Sequence, residues 1–141
     1  MKILFLCGSA EPGKDGVGDY TRRLCGELIR IGHQAQILSL FDKHSDTFIS
    51  QIQVIENTDV LVNRIPIKLP YSKRLSFTNE IIQKFTPDWI SLQYVPHSFN
   101  LKGLPFWLIS FLKKVNIKHK WHVMFHVMNY FHPLREIIKN V

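Results

Sequence analysis

The stretch Lys2-Ile3-Leu4-Phe5-Leu6-Cys7-Gly8-Ser9-Ala10-Glu11-Pro12-Gly13-Lys14-Asp15-Gly16-Val17-Gly18-Asp19-Tyr20 decides the fold. Ile3 to Cys7 is an apolar run of strand length. Gly8 to Tyr20 then carries four glycines and one proline, and a helical pattern follows. Strand, glycine-rich loop and helix, in that order, present backbone N–H groups and a helix N-terminus to an anion. The stretch is expected to be a ligand loop, for phosphate.

Three readings of the loop compete. Gly8 to Asp15 spells G-x-x-x-x-G-K-D, one residue from a P-loop, but Asp15 replaces the hydroxyl that should hold Mg²⁺. Gly16 and Gly18 also discourage a helix at that point. Gly16 to Thr21 gives G-x-G-x-x-T, a partial dinucleotide fingerprint without its third glycine. The third reading is a longer loop that folds over a diphosphate or a sugar without enclosing it. The plain alternative is a strand–helix turn, and four glycines in eleven residues exceed what a tight turn requires.

Working outward, Val17, Tyr20, Leu24, Leu28 and Ile31 fall three or four apart, so 17–31 is an amphipathic helix with that stripe inward. Gly32 stops it. Residues 35–40 read as the second strand and 59–65 as the third; 41–58 is ambiguous, a short helix or an irregular excursion. Residues 72–85 read as a helix with Leu75, Ile81, Ile82 and Phe85 inward, stopped ahead of Pro87. Residues 88–95 read as the fourth strand, 104–115 as a helix with Pro105 in its first turn, 121–126 as the fifth strand, and 133–140 as a further helix. Strands alternating with helices imply an α/β fold: a doubly wound, mostly parallel Rossmann-like sheet. Ligands bind such sheets beyond the carboxyl ends of the strands. That rule selects 8–20, 40–42, 64–66, 95–102 and 126–130.

Three blocks resemble one family. Asp15 to Leu24, with Leu28 and Gly32-His33, resembles the opening of GT-B glycosyltransferases of the family 4 type. Pro87 to Pro96, followed by Lys102-Gly103-Leu104-Pro105, is similar to a second block. Met124-Phe125-His126 resembles that family's strand ending in histidine. The blocks occur in the family's order from Lys2 to about Pro133. Two positions depart from it: Asp15 stands where the first glycine of a pair is usual, and Val127 where an acidic residue often follows the histidine.

The resemblance implies a single domain, 1–141, forming the N-terminal, acceptor-side half of a retaining enzyme. That enzyme would move a sugar from a nucleotide-sugar donor to an acceptor, and the donor-binding C-terminal domain, with its E-x₇-E motif, is absent here. The chain is therefore expected to be inactive alone, a piece of a longer enzyme, and to self-associate through an uncovered rim. His126 would sit by the transferred sugar as the catalytic residue, donating a hydrogen bond. Gly16, Val17, Gly18, Asp19, Tyr20, Gln93, Tyr94, His97 and Lys102 would line the substrate side. No cofactor is implied. The alternative is a stand-alone phosphate- or nucleotide-binding module without transferase chemistry; a third reading is a remnant that merely folds.

Composition narrows the classes. The chain has 141 residues, 45% hydrophobic and 21% charged, ordinary for one globular domain. Cys7 and Cys25 lack metal or redox spacing, and a reduced, cytoplasmic thiol pair is expected. The apolar run at the N-terminus is too short for a signal peptide, and residues 104–112 are too few to span a bilayer. Net charge is +7, but residues 1–100 carry only +1 and residues 101–141 carry +6.

The basic third is either a solvated face or a surface for an anionic membrane or substrate. Phe106, Trp107, Phe111 and Trp121 within it suit a lipid interface or simply core. No recognition helix, zinc pattern or RNA-binding aromatic motif points to nucleic acid. A peripheral contact on the inner face of the membrane is expected. His122 and His126 lie about 13 Å apart on one strand, too far to share an ion, so no metal site is expected. His126 alone is as readily structural as functional, and His97 and Lys102 also fit a plain surface loop.

Overall fold

The computed structural model describes residues 1–115 and 118–126. In chain order it contains β1 (Lys2–Cys7), α1 (Gly16–Arg30), β2 (Gln34–Asp42), β3 (Ile49–Ile55), β4 (Thr58–Pro66), α2 (Tyr71–Phe85), β5 (Trp89–Tyr94), α3 (Pro96–Phe99), α4 (Phe106–Lys114) and β6 (Lys120–Phe125). One sheet of six strands runs in the order β3-β4-β2-β1-β5-β6. All neighbours are parallel except β3 and β4. This is a Rossmann-like α/β arrangement with an antiparallel edge. The helix expected over 133–140 lies outside the described residues.

Alternation along β1 builds both layers. Ile3, Phe5 and Cys7 join Cys25 of α1 in one core; Leu4 and Leu6 join Ile82 of α2 and Leu108 and Phe111 of α4 in the other. Helices thus cover both faces, and each face buries its own apolar set. Cys7 and Cys25 are free and buried, and burial pushes the Cys25 thiol up to about 12.

Helix ends follow local chemistry. Asp15 caps α1 by accepting from Gly18 N–H at 2.7 Å. At the other end Gly32 takes φ +99°, with Gly32 N–H bonded to the Ile29 carbonyl and His33 N–H to that of Leu28. That pair of hydrogen bonds is the glycine-terminated helix stop.

The structure corrects the expectations in three places. The ambiguous stretch after Phe41 contains β3, joined to β4 by the two-residue turn Glu56-Asn57, both at positive φ (48° and 62°). Such a turn matches the twist of a hairpin. The deepest face of α1 is Gly18, Thr21, Cys25 and Gly26, while Tyr20 and Ile31 are 43% and 66% exposed. Small residues let the helix backbone approach the sheet, so the closest line is not the most apolar one. Lastly, Pro105 caps α4 from outside, and Leu104 stays exposed ahead of it.

Candidate functional site

The chain turns in opposite directions on leaving β1 and β5, so a crevice opens beyond their carboxyl ends. Gly8 leaves β1 there, and a Cβ on it would lie 2.3 Å from the Ser98 carbonyl of α3. Only glycine allows the two loops to meet so closely. Gly18 does the same for α1, whose Cβ would come 2.3 Å from the Ser9 carbonyl.

A buried ion cluster holds the loop from beneath. Asp42, fully buried, receives Arg64 Nε and Nη2, both at 3.0 Å, Ser39 Oγ at 2.8 Å and Ala10 N–H at 3.1 Å. Arg64 also reaches Glu11 at 2.6 Å. Burial raises Asp42, but Arg64 and the N–H groups of His44 and Ala10 outweigh it, leaving the carboxyl below its usual range. Nearby, Gln53 donates to the Ala10 carbonyl and accepts from Arg22. Asp19 accepts from Gly13 N–H and Arg22, each at 3.0 Å.

Two loop amides, Gly13 and Gly18, are therefore taken by the chain's own carboxylates. The amides of Gly16 and Val17 head the helix beside the Asp15 carboxylate, which works against a phosphate there.

At the end of β6, His126 meets this loop. Its ring lies edge-on to Tyr20, centroids 5.0 Å apart. Backbone bonds continue the strand register, His126 N–H to the Tyr94 carbonyl. His126 Nε2 bonds to Gln93 Oε1 at 2.9 Å, Gln93 Nε2 donates to Ser91 Oγ at 2.8 Å, and Ser91 Oγ meets His122 Nδ1 at 2.8 Å. Burial lowers the His126 pKa, and the Asp15 carboxylate pulls the other way. The ring is accordingly neutral near pH 7.

The other expected site residues distribute unevenly. Gly16 and Tyr20 are exposed, Val17 and Asp19 half-buried, and Gly18 buried. Gln93 is fully buried and its amide is spent on His126 and Ser91, so it reaches a ligand only through His126. Tyr94 packs between Phe99 and Phe125, at 6.0 and 5.6 Å. His97 and Lys102 are exposed, but His97 lies in the short helix α3 rather than on the loop expected there, and only Lys102 is in the turn that follows. The His97 carbonyl accepts from Lys43 Nζ, and Lys102 N–H is held by Asn100. No described contact joins His97 or Lys102 to the Tyr20–His126 pair.

Sequence reading put Asp42 and Arg64 on rim segments without pairing them, weighed His122 only as a metal ligand, and missed Ser91 and Arg74. Arg74 is 5% exposed, bonded to the carbonyls of Leu40, Ile67 and Leu69, and flanked by Phe41 and Trp107. An arginine one turn inside α2 signals nothing by itself, since its partners are backbone oxygens of distant loops.

Two cavities lie away from the rim. One of about 350 Å³ sits between α2 and β4, lined by Asn63, Phe77 and Lys84. One of about 310 Å³ lies between α1 and β5, lined by Leu24, Leu28, Trp89 and His122. At the rim Tyr20 is exposed and His126 half-buried. Among the described residues no group of three or more His, Cys, Asp or Glu is placed to hold a metal ion. No family model matches the chain, and neither does any curated protein or solved structure.

Proposed function

We propose that the chain is the acceptor-side half of a retaining glycosyltransferase, which moves a sugar from a nucleotide-sugar to an acceptor and does not catalyse transfer alone. The single observation behind this reading is the meeting of His126, from the end of β6, with Tyr20, from the head of α1. A neutral imidazole, an aromatic edge, a carboxylate and open helix-head amides suit a polyhydroxylated ligand. Exposed Tyr20 beside half-buried His126 suits half of a site completed by a second domain. Of the sequence blocks that resemble family 4 type enzymes, Asp15 to Tyr20 and His126 come together at this rim.

The proposal extends to a contact surface. Leu101, Leu104, Phe106 and Ile109 are 57–77% exposed, and exposed Lys102 and Lys113 stand next to them in the chain and on α4. An apolar ridge flanked by lysines fits an anionic membrane carrying a lipid acceptor. Trp107 is not part of it: its indole donates to the Phe99 carbonyl and packs on Phe111.

The stand-alone phosphate module is the competing reading. Calorimetry with nucleotide-sugars, nucleoside diphosphates and inorganic phosphate separates the two. The proposal predicts weak binding of nucleotide-sugars that Tyr20→Ala and His126→Ala abolish, and none of phosphate. Equal binding of phosphate and nucleotide-sugar would favour the module.

A further inference from the structure

We propose that Gln93, with Ser91 and His122 behind it, is a positioning residue that fixes His126 as the Nε2–H tautomer, so that Nδ1 meets the substrate as a hydrogen-bond acceptor. This rests on the proposed function, since it gives the chemistry that His126 offers at that rim.

The three side chains lie on one face of the sheet. Ser91 and Gln93 alternate with Ile90 and Leu92 of the α2 face, so they point to the α1 face, where His122 also lines the cavity beside Leu24 and Leu28. The β5–β6 register sets Ser91 opposite His122 and Gln93 opposite Met124. His126 follows two residues on.

Hydrogen-bond direction is set by the middle of this row. Gln93 is fully buried and Ser91 is 3% exposed, so leaving either unpaired is costly. Gln93 gives an N–H to Ser91 Oγ, which turns its amide oxygen to His126 Nε2. An amide oxygen only accepts, so Nε2 must carry the hydrogen. Ser91 Oγ also lies 2.8 Å from His122 Nδ1, which closes the row behind Gln93. Among the described residues His126 Nδ1 has no hydrogen-bond partner. A neutral Nδ1 accepts from a hydroxyl and offers nothing to a phosphate oxygen. The rim thereby selects an O–H donor, as a sugar or other polyol supplies. This differs from a histidine that donates to the transferred sugar, the role the family resemblance implies.

The test is imidazole ¹H–¹⁵N spectroscopy of the chain labelled at histidine, near neutral pH. The wild-type chain should show His126 as the Nε2–H tautomer, with an Nε2–H signal protected from exchange. Gln93→Leu should lose that protected signal, and Gln93→Glu, which keeps an acceptor, should retain it. Ser91→Ala should weaken the protection by freeing the amide to turn. An Nδ1–H tautomer in the wild-type chain, or an unchanged protected signal in Gln93→Leu, would overturn the proposal. Should Gln93→Leu fail to fold, the wild-type tautomer and Ser91→Ala still decide. A correct tautomer without any sugar binding would count against the proposed function and leave this assignment standing.

Discussion

Tyr20 and His126, from opposite ends of the described chain, meet edge to face with ring centroids 5.0 Å apart. One comes from the second turn of α1 and the other from the residue after β6. Their meeting requires β1 and β5 side by side, with β6 next to β5. The sheet order thus brings them to one rim.

The close approach of α1 to the loop makes a paired prediction. Gly18→Ala puts a methyl against the Ser9 carbonyl, a backbone atom that cannot swing away. It should destabilise the fold by about 1–3 kcal/mol. Gly16→Ala has nothing within 4 Å and should stabilise the helix by ~0.5–1 kcal/mol. Denaturant melts of both variants check this, and an equal effect would contradict the packing described.

Asp42 sets an acid limit. Its folded pKa is lowered, so its contribution to stability is present above the unfolded value, about 3.9, and is lost as pH falls through the folded value. Asp42→Asn leaves Arg64 without its bidentate partner and should cost about 3–5 kcal/mol at neutral pH. The variant's stability should also fall less steeply with acid than that of the wild type. Urea melts between neutral pH and pH ~3 measure both effects, and parallel curves would contradict the role assigned to Asp42.

Much of this was legible in sequence, because the cores obey simple periods. The strand ending at Cys7, the glycine loop, the helix stopped by Gly32 and the strand that leads to His126 all follow from apolar runs and turn residues. β3 was not legible. Its Gln53 is buried, bonded to the Ala10 carbonyl, while Ile52 and Val54 are 56% and 65% exposed. The inside–outside alternation is reversed there, so the period-two signal misleads. The row from His126 to His122 was hidden for another reason: Ser91 and His122 become neighbours only once β5 and β6 are in register.

The α4 ridge should bind anionic vesicles weakly and less well at high salt, each nearby lysine contributing about 1 kcal/mol. Phe106→Ser with Ile109→Ser should remove most of the binding without unfolding the chain, because both side chains are more than 60% exposed. Co-sedimentation with neutral and anionic liposomes measures this, and equal binding to both would contradict it.

The purified chain should transfer no sugar. On the proposed function the donor is held by a second domain, and these 141 residues tested by themselves would lack the positioning that makes transfer effectively unimolecular, worth up to ~7–11 kcal/mol of barrier. Mass spectrometry of mixtures with UDP- and GDP-sugars is the check, and specific transfer above background would contradict the division of labour.

The most direct test of the rim as a sugar site is residue-resolved NMR titration of the chain with nucleotide-sugars, simple polyols and inorganic phosphate. The account predicts that sugar-bearing ligands shift the amides of Gly16, Val17 and Tyr20 together with the His126 ring, and that phosphate does not. Shifts confined to other surfaces, or equal shifts with phosphate, would contradict it.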